Sequence, residues 1–177
     1  MNYVAFLRGI NVGGNRKVPM GDLQKLFVEL GFTDVKTLLN SGNVLFASDE
    51  TDISVLKAKI EAKLESVFGW NSDVIIRSQK DIQDIVERNR FESITVTPAT
   101  RLYITFFSED PHSTFQIPYE SPEKNYKILE VSQNAIFSVL TLSEKYTTTD
   151  AMKILEKEFG KNITTRNWNT VVKLAAL

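Results

Sequence analysis

The sequence predicts an α+β protein built from two ferredoxin-like (βαββα-type) units, with mostly antiparallel sheets and helices on one face. The first half alternates strand-like and helix-like patterns in the order β-α-β-β-α-β, which defines the split βαβ unit, and the second half repeats much of that order. The composition, 42% hydrophobic and 24% charged, is typical of a globular protein. We predict one unit over residues 1–89 and a second, degraded unit over residues 100–177, because Pro98 interrupts a weakly periodic stretch between them.

The first half begins with a strand, a helix and a hairpin. Residues 3–7 are short, apolar and β-prone, as in a buried strand. The next apolar side chains follow the i, i+3, i+4, i+7 spacing of one helix face, at Leu23, Leu26, Phe27 and Leu30. Residues 35–39 and 44–47 have the pattern of two strands, and Asn40-Ser41-Gly42-Asn43 between them predicts a tight hairpin.

Two more helices and a strand complete this half. Thr51 or Asp52 is positioned to cap a helix that Gly69 ends. The apolar face of that helix carries Ile53, Leu56, Ile60, Leu64 and Val67. Residues 74–76 form a further strand, and Ser78 with Asp81 has the form of a capping box that opens the third helix.

The second half predicts a strand at residues 102–107, a hairpin of residues 127–131 and 135–140, and a helix from about Thr149 to Gly160. Residues 110–124 contain three prolines and little periodicity, which predicts a loop or a poorly formed helix. Thr165 is expected to cap a terminal helix. Its inward face would carry Trp168, Val171, Val172 and Ala175, and its polar face Arg166, Asn169, Thr170 and Lys173.

Composition excludes several kinds of chemistry. The chain has no cysteine, which removes disulfides, thiolate nucleophiles and zinc–thiolate sites and suits a reducing compartment. It has one histidine, His112, with no evident catalytic partner, and no spacing of acidic residues that predicts a metal site. No leader or membrane-spanning stretch is visible, so we predict a cytoplasmic protein without a membrane partner and without a cofactor.

Three motifs together resemble a known family. They are LRGINVGGNRKVPM from Leu7 to Met20, SGNV from Ser41 to Val44, and TRNWNT from Thr165 to Thr170. Their order and spacing are similar to those of the bacterial family catalogued as domain of unknown function 1697. The resemblance implies an α+β fold of ferredoxin-like units and carries no reaction, cofactor or catalytic residue. The strand before the hairpin departs from the family pattern, so no role for Asn40 follows from it.

The same three segments are the candidate site, because they share an enrichment in Asn, Gly, Arg and Thr. Glycines let a partner approach the backbone closely, and backbone N–H groups near a helix start attract anions. We expect the segments to converge in space. The predicted ligand-binding residues are Arg8, Asn11, Gly13, Gly14, Asn15, Arg16 and Lys17 in the loop, Ser41 and Asn43 in the hairpin, and Arg166, Asn167, Asn169 and Lys173 in the C-terminal segment.

Three functions remain open from the sequence. The favoured one is a binding protein for an anionic ligand, either nucleotide-like or nucleic acid, although a net charge of −1 gives no overall attraction and no RNP1 pattern is present. The second is an enzyme on a small phosphorylated or carboxylated metabolite, oriented by Arg8, Arg16 or Arg166. The third is a structural or protein-interaction role, in which the glycine loop only connects a strand to a helix. An edge strand could also pair two copies in a homodimer.

Overall fold

The computed structural model describes residues 1–14, 16–109 and 111–177. The chain separates into two compact units, Met1–Ile82 with Leu174–Leu177, and Gln83–Lys173. We call them unit 1 and unit 2. The described residues form an antiparallel four-stranded sheet in unit 1, an antiparallel five-stranded sheet in unit 2, and five helices. The predicted α+β fold of two ferredoxin-like units is confirmed.

Unit 1 has the β-α-β-β-α-β order that the sequence predicts. Its elements are β1 (Asn2–Leu7), α1 (Met20–Glu29), β2 (Thr33–Leu38), β3 (Asn43–Ala47), α2 (Ile53–Phe68) and β4 (Val74–Ser78). The sheet order is β2-β3-β1-β4, so β1 is central and pairs with both β3 and β4. This order places the end of β1, where the connection to α1 begins, beside the β2–β3 hairpin and the start of β4.

Local sequence explains where these helices begin and end. The Asp52 side chain accepts hydrogen bonds from the N–H groups of Ser54 and Val55, as expected of an N-cap. Gly69 ends α2 in the left-handed conformation with a φ of 75°. The apolar faces of α1 and α2 pack on the sheet in one core cluster that includes Leu23, Phe27 and Ile60.

Unit 2 repeats this strand order, but the described residues between its first strand and its hairpin contain no counterpart of α1. After α3 (Gln79–Arg88), which crosses from unit 1 into unit 2, the elements are β5 (Thr100–Phe107), β6 (Tyr119–Glu120), β7 (Tyr126–Val131), β8 (Ile136–Thr141), α4 (Thr148–Phe159), β9 (Ile163–Asn167) and α5 (Trp168–Ala175). The sheet order is β6-β7-β8-β5-β9. Without the short edge strand β6, this is the order of unit 1.

The start of the third helix is the capping box that the sequence predicts. The Ser78 N–H donates to a carboxylate oxygen of Asp81 at 3.1 Å, and the Asp81 N–H donates to the Ser78 hydroxyl at 3.1 Å. The start of the last helix is different from the prediction. Residues Ile163–Asn167 form strand β9 beside β5, so Thr165 does not cap a helix and α5 begins at Trp168. A polar strand at a sheet edge has no alternation of apolar and polar residues. The apolar spacing of α5, which follows β9 in the chain, therefore determined the prediction.

The segment between β5 and β6 contains no helix within its described residues. Instead, the carboxylate of Glu158 on α4 accepts hydrogen bonds from the hydroxyl of Ser113 at 2.9 Å, from the N–H of Thr114, and from the N–H of Phe115 at 3.0 Å. The Phe115 ring stacks on Tyr119 with a centroid distance of 4.0 Å. The partly exposed carboxylate of Glu158 therefore forms a clamp that holds this segment, which in unit 2 takes the place that α1 has in unit 1.

Within the described part of the chain, no helix has both the length and the apolar character needed to cross a membrane.

Candidate functional site

The loop between β1 and α1 forms a small turn, and we call its described residues, 8–14 and 16–18, the finger. The N–H of Asn11 donates to the carbonyl of Arg16 at 3.2 Å, so the chain doubles back on itself. At the tip, Gly13 and Gly14 have φ values of 63° and 79°, the pair of positive angles that a type I′ turn requires. The glycines are thus explained by backbone geometry. The predicted site residue Asn15 lies outside the described residues.

The side chain of Asn11 holds the finger in place. Its amide nitrogen donates to the carbonyl of Val18 at 3.0 Å and to the carbonyl of Asn40 at 2.8 Å, and its oxygen accepts from the Val18 N–H at 2.8 Å. Both amide hydrogens and the oxygen are therefore engaged by the protein. Asn11 closes the finger and ties it to the β2–β3 hairpin, which makes it a positioning residue.

The hairpin meets the finger through Gly42. The N–H of Leu7 donates to the Gly42 carbonyl at 2.8 Å. A Cβ atom at Gly42 would lie 2.7 Å from Cδ1 of Ile10 and 2.9 Å from Cβ of Leu7, and the φ of Gly42 is 73°. Only glycine satisfies this close approach. Two of the three predicted segments therefore do come together within unit 1.

The two predicted hairpin residues stabilise the turn. Asn43 is fully buried, and its amide donates to the Leu38 carbonyl at 3.0 Å and to the Ser41 hydroxyl at 2.9 Å. These bonds close the hairpin from within. Asn43 is therefore placed as part of the scaffold beneath the finger, while Ser41 is exposed at its surface.

An open cleft of about 420 Å³ lies between the finger, the hairpin and the start of α1. It is lined by Asn11, Gly14, Lys17, Val18, Pro19, Met20 and Asn40. Pro19 is the N-cap residue of α1 and makes no side-chain capping bond. Its carbonyl accepts from the N–H groups of Asp22 and Leu23. Asp22 in the first turn partly offsets the positive end of the helix dipole.

The three cations of the finger have different surroundings. Arg8 is partly buried and forms an ion pair with Asp73, with 3.6 Å between the nearest nitrogen and oxygen. The guanidinium of Arg16 lies over the Trp70 ring, 5.2 Å from its centroid. Lys17 is exposed and is the finger cation among the cleft-lining residues. The site electrostatics therefore depend on one ammonium group more than on a cationic patch.

The third predicted segment belongs to unit 2 and is split between two elements. Arg166 and Asn167 lie in β9, while Asn169 and Lys173 lie on exposed positions of α5. The predicted polar helix face is therefore wrong, since Arg166 is not helical and Thr170 is buried. That this segment converges with the finger stays a prediction.

The Arg166 side chain forms hydrogen bonds with neighbouring residues of its own strand. One guanidinium nitrogen donates to the Thr164 hydroxyl at 2.7 Å and to the Thr165 carbonyl at 2.9 Å. Burial lowers the pKa of Arg166 to about 10. The group still carries its charge at neutral pH.

Metal and acid–base candidates are few. No group of three or more His, Asp or Glu side chains suitable for a metal ion occurs in the part of the chain that the structure describes. His112 is exposed in the segment between β5 and β6. The cleft lining contains no carboxylate and no histidine among its described residues.

Sequence reasoning missed four residues that line the cleft: Val18, Pro19, Met20 and Asn40. The first three lie within the motif from Leu7 to Met20, but apolar residues before a helix are ordinarily assigned to packing. Asn40 lies in the hairpin segment, and its departure from the family pattern argued against a role. The contact between Asn11 and Asn40 joins residues 29 positions apart, a pairing that no local pattern reveals.

Comparison with known proteins agrees with this architecture. The conserved bacterial protein SP0830 from Streptococcus pneumoniae matches over 99% of this chain and 97% of its own, with a TM-score of 0.74 and 24% sequence identity. At that identity the likeness extends to the fold alone. A comparison with curated proteins gave no match.

A family model matches residues 1–137, which include the finger and the hairpin but not the C-terminal motif. That span covers most of the chain and both segments that form the cleft. The chain therefore belongs to the family described as "Protein of unknown function (DUF1697)".

Proposed function

We propose that this protein binds a small anionic ligand, nucleotide-like or otherwise phosphorylated or carboxylated, in the cleft beside the finger. The observation that carries the proposal is the convergence of the finger and the hairpin around a cleft of about 420 Å³. Clefts of about 300–1,000 Å³ are typical of small-molecule sites. Lys17 and the uncapped start of α1 both favour a negative group at one end of the cleft.

The lining residues suit a ligand that has two chemically different parts. An anionic group is favoured near Lys17 and Gly14, where an ammonium and a glycine backbone are accessible. Val18, Pro19 and Met20 contribute apolar atoms to the same lining, which suit a ring or an alkyl group. A compact ligand with one anionic and one apolar part fits this cleft better than inorganic phosphate alone.

Nucleic acid fits less well. Binding to a phosphate backbone depends on several cations acting together, and its affinity grows with the number of phosphates neutralised. In the finger, Arg8 is paired with Asp73 and Arg16 lies over Trp70, so Lys17 remains as the cleft cation. The formal net charge of −1 provides no additional attraction.

Binding is also favoured over catalysis. A general base or nucleophile has to lie within hydrogen-bond reach of the reacting group. Among the described lining residues Lys17 is the charged side chain, and an ammonium group suits recognition of a negative charge. An enzymatic role would need a further residue brought to the cleft.

Calorimetric titration at low salt tests the proposal, with pyrophosphate, AMP and a single-stranded oligonucleotide as separate probes. We expect AMP to bind and Lys17→Gln to weaken its binding at least tenfold. Lys25→Gln is the matched control, because Lys25 is exposed on α1 but does not line the cleft. Equal loss in both variants, or binding by the oligonucleotide alone, would contradict the proposal.

A further inference from the structure

The core of unit 2 contains three hydroxyl groups without a hydrogen-bond partner among the described residues. They belong to Tyr126, Ser138 and Tyr146, whose exposed fractions are 0%, 0% and 8%. Buried polar groups are nearly always hydrogen-bonded, to protein or to ordered water. Three unpaired hydroxyls in one small core therefore need a physical explanation.

The strand register brings these groups to one region. Ile128 pairs with Ser138 and Tyr126 pairs with Leu140 across β7 and β8. Alternate residues of a strand share a face, so Tyr126 and Ser138 are diagonal neighbours, within reach of a long aromatic side chain. Tyr146 packs in the same core cluster as Tyr126.

The electrostatics of Tyr126 indicate the same proximity. Burial raises the pKa of Tyr126, the nearby Ser138 hydroxyl lowers it in part, and Tyr146 and Tyr103 raise it further. The Ser138 and Tyr126 oxygens are thus close enough to interact but lack the geometry of a direct hydrogen bond. A third polar partner between them would complete both.

In unit 1 an aromatic side chain occupies the strand position that corresponds to Ser138 in unit 2. Tyr3 pairs with Phe46 across β1 and β3, and Tyr103 pairs with Ser138 across β5 and β8. The Phe46 ring stacks against Tyr3 at a centroid distance of 5.6 Å and lies 4.6 Å from the ring of Phe32. Unit 2 thus has a small hydroxyl side chain where unit 1 has a phenyl ring.

We propose that unit 2 binds an ordered water molecule between the hydroxyl groups of Tyr126, Ser138 and Tyr146. A buried water typically makes about three hydrogen bonds, and each of these hydroxyls can donate or accept. The apolar cluster surrounds these hydroxyls, and the charged groups that act on Tyr146, Glu123 and Asp150, are both carboxylates, so an anionic guest is disfavoured. Water satisfies all three groups without that penalty.

The variant Tyr126→Phe separates the two explanations, because it removes one hydroxyl and keeps the ring. A bridging water loses one of its hydrogen-bond partners in this variant, so we expect the Tm of the full chain to fall. If the hydroxyls were simply unpaired, deleting one would remove an unfavourable buried group and raise the Tm. Ser138→Ala removes a second partner and should act in the same direction. A rise or an unchanged Tm in either variant would overturn the proposal.

A crystal structure of the full chain supplies a direct readout. We expect density for one water within about 2.5–3.2 Å of at least two of the three oxygens. In the double variant Tyr126→Phe/Ser138→Ala that density should be lost. Direct bonding between the hydroxyls, or no density between them in the unaltered protein, would overturn the proposal.

Discussion

The two units share one strand framework and differ in the connection that follows their first strand. Leu7 pairs with Val74 in unit 1 as Phe107 pairs with Ile163 in unit 2. One residue further, the N–H of Arg8 donates to the carbonyl of Asp73 at 3.0 Å, and the N–H of Ser108 donates to that of Asn162 at 3.1 Å.

After this shared point the connections diverge. Unit 1 has the finger and then α1, whereas unit 2 has a segment without a described helix that Glu158 holds against α4. The same register thus supports a cleft in one unit and a clamp in the other. The difference indicates that the sheets are scaffold and that function is to be sought in the connection after the first strand.

The largest expected effect concerns the contact that the finger makes with the hairpin. Gly42→Ala places a Cβ atom 2.7 Å from Ile10 and keeps a left-handed backbone. We expect a loss of about 2–4 kcal/mol in the free energy of unfolding, measured by denaturant titration. Gly13→Ala is the control, since its φ is also positive but no heavy atom lies within 4 Å of its Cβ. Equal losses in the two variants would show that close packing at Gly42 does not hold the finger.

The second effect concerns the clamp of unit 2. Glu158→Gln removes the charge that accepts bonds from Ser113, Thr114 and Phe115, and we expect a loss of about 1–3 kcal/mol near pH 7. Burial alone would raise the pKa of Glu158, but these bonds outweigh it and lower the pKa.

The sign of that shift fixes the pH dependence. A lowered pKa in the folded state gives stability that is present above the unfolded pKa of about 4.3 and is lost as the pH falls through the folded value. The difference between Glu158→Gln and the unaltered chain should therefore shrink as the pH is lowered below the unfolded pKa and through the folded value. Glu92→Gln, at an exposed position of unit 2, is the control and should show no such trend.

A smaller effect is expected where the finger closes on itself. Asn11→Ala removes the side-chain bonds to Val18 and Asn40, and we expect a loss of about 1–2 kcal/mol in the free energy of unfolding. Asn11→Asp retains the oxygen that accepts from the Val18 N–H, but its second carboxylate oxygen faces the carbonyls of Val18 and Asn40, so it should lose at least as much stability as Asn11→Ala. An alanine variant as stable as the unaltered chain would contradict the positioning role.

The smallest effect concerns Arg16 above the Trp70 ring. Arg16→Ala should cost about 0.5–1 kcal/mol and change the fluorescence of Trp70, because the cation near the indole is removed. Arg16→Lys keeps a positive charge and should retain part of both properties. Unchanged fluorescence in Arg16→Ala would show that the two side chains are not in contact in solution.

Much of this fold could be predicted from sequence because unit 1 carries strong local patterns. The apolar spacing of Leu23, Leu26 and Phe27, the cap at Asp52 and the glycine at Gly69 are each explained by short-range physics. In unit 2 the strand β9 was missed, since Thr164, Thr165 and Arg166 lack the alternation that marks a half-buried strand. Its place beside β5 is decided by tertiary pairing, which short-range patterns do not contain.

The candidate site was only partly predictable for the same reason. The glycines at the finger tip and at Gly42 predict backbone turns, and their sequence context indicated where to look. The bonds from Asn11 to Val18 and Asn40 depend on how two loops meet, so the sequence could not separate Asn11 as a positioning residue from Lys17 as a contact residue. That division follows from geometry.

Ligand binding at the finger can be measured directly by an amide chemical-shift titration of the full chain with AMP at low salt. We predict saturable shifts at Gly13, Gly14, Lys17 and Asn40, and none at Ser108 after the first strand of unit 2. Lys17→Gln should move the midpoint of these shifts to at least tenfold higher AMP concentration. Shifts confined to unit 2, or no saturable shift at the finger, would contradict the account.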